Sequence, residues 1–184
     1  MPSLSHEGWA LPTGHALVST ATATQRDLVD VLARARTAEL CGLLALTSTA
    51  WQGHMLLFGG TPLFARAMNQ DRSATLLDRD AYEQLCLSFG PDPRSQLYLY
   101  RMEERMARAL SGLFQSPALL RKLESASELR FLLEIVGGCH FEGCIQFQAG
   151  DDRTVVLFHQ GRPLGAYTGQ ERQIVTSLAG PLSS

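Results

Sequence analysis

The chain has 184 residues, 45% of them apolar and 18% charged, the balance of a globular protein with enough apolar surface for a core. Its formal net charge of −2 gives no overall pull toward nucleic acid or an anionic membrane. Apolar runs are short and no basic-then-apolar leader opens the chain, so the expectation is a cytoplasmic protein with no membrane partner.

In chain order, residues 1–14 contain Gly and Pro and read as a flexible N-terminus. Ala16-Leu17-Val18 reads as a strand. A helix follows behind the capping residue Thr24, with Leu28, Val31, Leu32 and Ala35 spaced to make one apolar stripe. Two short strands come next, Leu43-Leu44-Ala45-Leu46 and Met55-Leu56-Leu57-Phe58, turning at Trp51-Gln52-Gly53. The segment 71–124 reads as a helical insert. Its predicted helices are Asp80–Phe89, a longer one over 95–114 with Leu99, Met102, Met106, Ala109, Leu110 and Leu113 on one face, and Pro117–Leu123. Ser125 then caps a helix striped by Leu129, Leu132, Leu133 and Val136, which Gly137-Gly138 ends. Strands Cys144-Ile145-Gln146-Phe147 and Val155-Val156-Leu157-Phe158 follow, turning at Gly150-Asp151-Asp152. A short helix over Gln170–Ala179 closes the pattern.

The second half repeats the first. Gly60-Thr61-Pro62-Leu63-Phe64-Ala65 and Gly161-Arg162-Pro163-Leu164-Gly165-Ala166 both read G-x-P-L-x-A, and each follows an apolar run ending in Phe. Upstream, Gly42 and Gly143 each open a strand, and Leu28 and Leu129 each follow an acidic residue. Most matches lie 101 residues apart, with one residue of slack expected inside the hairpins: Gly60 follows Gly59, whereas Gly161 follows His159 and Gln160. In each unit the G-x-P step is expected to break the strand. A lone hairpin is marginal in water, so each must be covered by its helix or by the other unit.

A helix, a G-x-hydrophobic strand, a polar turn and a strand ending in F-x-G-x-hydrophobic-x-A resemble the bacterial PATAN-type domain. The first match runs from Leu28 to Ala67 and the second from Leu129 to Tyr167. The resemblance implies a non-catalytic regulatory or protein-interaction module, a type often found beside signalling receiver domains. The chain departs from that setting, since it has no receiver-like acidic run, and its insert exceeds a minimal copy.

Candidate chemistry is thin. Cys139-His140 with Cys144 lacks the C-x2-C pairs of structural zinc, and the plainer reading of Cys144 is a small buried hydrophobe. Of the histidines, His6, His15, His54, His140 and His159, none sits in a nucleophile elbow, and strand alternation is expected to turn His54 and His159 outward. Gly59-Gly60 and Gly137-Gly138 match no phosphate-binding loop. Neighbouring carboxylates such as Glu103-Glu104 and Asp151-Asp152 read as solvated surface. Lys122 is the only lysine, which suits a high-GC bacterial codon bias. Arg101, Arg105 and Arg108 form a stripe, with Arg121 and Lys122 nearby in sequence, that could hold phosphates, although Glu103 and Glu104 interrupt it.

The reading is therefore an α+β fold of duplicated helix plus β-hairpin units, divided at 1–14, 15–70, 71–124 and 125–184. The hairpins form one antiparallel sheet or two facing ones, and helices of the insert cover an apolar face. No catalytic residue, cofactor or metal is expected. The expected function is a regulatory or adaptor module that binds a protein partner or itself as a homodimer. Trp51, His54, Phe64, His159 and Arg162, read as exposed hairpin positions, are the interaction candidates. The alternative is a nucleic-acid-associated protein using Arg101, Arg105, Arg108, Arg121 and Lys122.

Overall fold

The computed structural model describes residues 5–6, 9–10, 12, 16–71, 73–89, 94–115, 125–149 and 152–168. Its elements in order are β1 (Ser5–His6), β2 (Trp9–Ala10), β3 (Ala16–Thr20), α1 (Gln25–Thr37), β4 (Gly42–Thr47), β5 (Trp51–Phe58), β6 (Thr61–Asn69) and β7 (Thr75–Leu77). They continue with α2 (Asp78–Ser88), β8 (Gln96–Arg101), α3 (Glu104–Gln115), α4 (Ala126–Gly138), β9 (Gly143–Ala149), β10 (Asp152–His159) and β11 (Arg162–Thr168). The fold is α+β. A six-stranded antiparallel sheet runs β3-β8-β4-β5-β6-β7, a three-stranded one runs β11-β10-β9, and β1 and β2 pair with each other.

The central strands of the larger sheet are apolar on both faces because both faces are covered. On one face Leu44, Leu46, Met55, Leu57 and Ala65 pack with Leu28 and Val31 of α1, Leu85 of α2 and Leu97 and Leu99 of β8. On the other, Leu43, Leu56 and Phe64 share a core with Met106, Ala107 and Leu110 of α3 and with Val155, Leu157 and Tyr167 of the smaller sheet. The two sheets thus meet through one core that includes α3. Each fully buried leucine there contributes roughly 1.5–3 kcal/mol.

Several local features recur at a separation of 101 residues. α1 and α4 have equivalent bounds. Their N-caps are equivalent too: the Thr24 hydroxyl accepts from Asp27 N and the Ser125 hydroxyl from Glu128 N, both at 3.3 Å. Both β-turns have two residues at positive φ, Gly59-Gly60 (55° and 74°) and Gln160-Gly161 (50° and 76°), the backbone twist that favours tight hairpins. Each turn docks on its own helix end, where Gly60 N donates to Leu40 O at 2.8 Å and Gly161 N to Phe141 O at 2.9 Å. A bulge follows at Leu56/Leu57 and again at Leu157/Phe158.

Several expectations need correction. No residue of slack exists: His159 is the equivalent of Phe58, and the two runs that end in Phe are displaced by one position. The G-x-P step does not break the sheet. Each proline lies one residue into a third strand, paired as Leu57–Pro62 and Phe158–Pro163 beside the bulge that accommodates it. The repeated part of each unit is therefore a helix with three strands. The first hairpin turns at Ser48–Ala50, because Trp51 already begins β5. The insert is not wholly helical. Residues 96–101 form β8, where Leu97 and Leu99 alternate with Tyr98 and Tyr100 and pair with both β4 and β3. A helix starts only at Glu104. Within the segment expected to be a flexible N-terminus, β1 and β2 are paired. The expected helices at Pro117–Leu123 and Gln170–Ala179, and the turn residues Gly150 and Asp151, lie outside the described residues.

Candidate interaction surface

The five interaction candidates do not form one exposed patch. His54 and Phe64 are each only 4% exposed, which corrects the expectation that both face solvent. Phe64 belongs to the core shared by the two sheets. β5 is buried on both faces, so alternation along it separates two buried sides and sends neither to water. Trp51 is half-buried against the α1/α2 core. His159 is half-buried with Nδ1 3.1 Å from Glu142 Oε1. Arg162, at the start of β11, is exposed.

His54 and Arg66 stand opposite each other on β5 and β6. Burial pulls the His54 imidazole down to about 4, so it is neutral at physiological pH. Arg66 is also 4% exposed; its Nε and Nη1 are enclosed and meet no hydrogen-bond acceptor, and burial pulls it below the usual arginine range. Motif reading missed Arg66, because a lone arginine inside an apolar strand matches no pattern. The equivalent positions in the second unit are Val155 and Tyr167.

The arginine stripe is exposed but committed in part. Arg105 Nε lies 2.7 Å from Glu103, and Arg108 Nη2 lies 3.1 Å from Glu104. The Arg108 guanidinium also sits 5.3 Å from the centre of the Phe58 ring. Arg101 ends β8 and is exposed. Arg121 and Lys122 lie outside the described residues. Beside the stripe an open cleft of about 740 Å³ is bordered by Leu17, Glu39, Cys41, Arg101, Glu103 and Glu104, where the carboxylates outnumber the one arginine. Burial pushes the Cys144 thiol up to about 12, a poor nucleophile or metal ligand at neutral pH. Among the described residues no three His, Cys, Asp or Glu side chains gather as a metal site, and no helix is long and apolar enough to cross a membrane.

α4 is a surface that departs from its counterpart. On α1 the inward stripe is Leu28, Val31 and Ala35, and the outward positions Asp30 and Arg34 are charged. On α4 the inward equivalents are Leu129, Leu132 and Val136, but the outward ones are Phe131 and Ile135, which are 58% and 47% exposed. Leu133, 38% exposed, is on the sheet-facing side, where its equivalent Leu32 packs on the first core. Phe131 and Ile135 are i, i+4 neighbours, so they adjoin on one side of the helix. The sheet beneath is also less covered. In the first unit β4 is flanked by β8 and then β3, and α2 joins α1 over the sheet. In the second unit β9 is an edge strand, and Ile145, Phe147 and Val156 are only half-buried. Among the described residues nothing takes the place of β3, β8 and α2.

Against protein-family models, curated proteins and solved structures, the chain matches none. The PATAN resemblance therefore rests on the motif residues alone.

Proposed function

We propose that this chain is a non-catalytic regulatory or adaptor module that acts by protein–protein interaction, and that its second unit carries the contact face. The observation behind this reading is the pair Phe131 and Ile135, apolar at the helix positions where the first unit has Asp30 and Arg34. Single exposed hydrophobic residues are ordinary, but two adjoining large ones beside a half-covered sheet mark a surface that gains by being buried. Burying both is worth roughly 1.5–3 kcal/mol per side chain, enough to matter to an association.

The nucleic-acid reading has less behind it. Two of its three described arginines are held by neighbouring glutamates, and the net charge is −2.

The double variant Phe131→Asp/Ile135→Arg copies the pattern of the first helix and is expected to fold. Immobilised wild-type chain should retain a protein from extract of the source cells, or a second copy of itself, and the double variant should retain neither. Equal retention by both would reject the proposal.

A further inference from the structure

We infer that the second unit is completed by a second copy of this chain, through antiparallel pairing of the two β9 strands about Gln146 into one continuous six-stranded sheet. The inference rests on the reading that this unit is the contact face, and adds to it the partner and the register.

The first unit supplies the template. There, six strands carry two helices, α1 and α2, on one face, and β4 is flanked on both sides. The second unit has the equivalent of β4, β5 and β6 in β9, β10 and β11, with one helix, and β9 has no strand beyond it among the described residues. Joining two such halves through β9 gives the order β11-β10-β9-β9′-β10′-β11′. The local two-fold axis of an antiparallel pair stands perpendicular to the sheet, so both α4 helices come to the same face. Strand number and helix number, counted among the described residues, then both match the first unit.

The edges of the sheets point to the same strand. Exposed edges normally carry a safeguard against pairing: shortness, a bulge, a charge or a proline. β7 has only three residues, β3 has an irregular register at Leu17, and β11 opens with Arg162-Pro163. β9 has seven residues, Gly-Cys-Ile-Gln-Phe-Gln-Ala, without a charge, a proline or a register shift against β10. It is the one edge among these left ready to pair.

The sequence of β9 also suits self-pairing. Opposed residues on antiparallel strands share a face, so a symmetric pair must be centred on a residue, and centring on Gln146 uses the whole strand. Ile145 then faces the partner's Phe147, an apolar cross-strand pair of the kind that stabilises sheets, on the α4 side. Gln146 faces its own copy on the other side, where its Oε1 is enclosed with no hydrogen-bond partner. Leu133, on the sheet-facing side of α4, gains the partner half as a neighbour, the counterpart of Leu32 packing on the core of the first unit.

The test is sedimentation equilibrium of the full chain, with oxidative cross-linking of Gln146→Cys in a background carrying Cys139→Ser and Cys144→Ser. Cα atoms of an opposed pair lie about 4.5–5.5 Å apart, within reach of a disulfide. A reversible dimer, weakened at least tenfold in Ile145→Lys and trapped as a covalent dimer by Gln146→Cys but not by Thr168→Cys, is expected. A wild-type monomer that still binds another protein through Phe131 and Ile135 overturns this inference and leaves the proposed function standing. A monomer that binds nothing overturns both. A dimer that Gln146→Cys does not trap, and that Ile145→Lys does not weaken, places the interface elsewhere and also overturns the inference.

Discussion

His54 shows how one residue ties this fold to pH. Unfolded histidine takes up a proton near 6.5, whereas the buried imidazole does so only near about 4. The folded state therefore binds the proton more weakly, and stability present above 6.5 is lost as pH falls toward 4. Between pH 7 and pH 5 this one group should cost about 2 kcal/mol. His54→Val, which places the second unit's residue at the equivalent position, should flatten the profile over that window in urea unfolding; an unchanged slope would show that His54 is accessible in the native state. The turn glycines separate two other effects. A Cβ at Gly59 meets open space and is opposed only by its positive φ, so Gly59→Ala should cost about 1 kcal/mol. A Cβ at Gly60 would lie 2.3 Å from Arg36 Cα, so Gly60→Ala should cost clearly more, roughly 2–3 kcal/mol or beyond, read as the difference in denaturation midpoints. The glycines were legible as turn residues from sequence. The burial of His54 and Phe64 was not, because a strand covered on both faces hides nothing in its alternation, and which faces are covered is decided by elements distant in sequence.

At the scale of elements, periodicity read well where a segment had one exposed side. α1, α2 and α4 have such sides, and their spacing and caps place them within a residue or two. β8 defeated it. Leu99, Met102 and Met106 fall at helical spacing, yet they span a strand, a connection and a helix. The alternation of Gln96-Leu97-Tyr98-Leu99-Tyr100-Arg101 is the stronger pattern, satisfied by ladders to β4 and β3. The prolines misled for a related reason: a bulge one residue away lets Pro62 and Pro163 stay inside a strand. The contact face of α4 was legible only in outline. Its apolar content is plain in sequence, but the exposure of Phe131 and Ile135 follows from how α4 sits on its sheet. Removing inward and outward side chains should separate their roles. Leu28→Ala, buried at 1% exposure, should cost roughly 2–5 kcal/mol in unfolding. Phe131→Ala should change the stability of the isolated monomer by no more than about 0.5 kcal/mol, as expected of a surface position. A loss at Phe131 as large as at Leu28 would place that side chain in the core and remove the contact face.

The molecule as a whole is asymmetric in a particular way. The sequence spacing of 101 residues recurs in helix bounds, caps, turns and bulges. What the second unit lacks among the described residues was harder to see, since a missing flank leaves no motif. The first unit finds its flanks within the chain, in β3, β8 and α2; the second shares one core with the first through α3 and presents its remaining edge and helix outward. Hydrogen exchange followed residue by residue through a dilution series tests this most directly. If a second copy completes the second unit, amides of 126–138 and 143–149 should lose protection as the chain is diluted, while those of 42–58 stay protected throughout. Protection in both units that does not vary with concentration would contradict it.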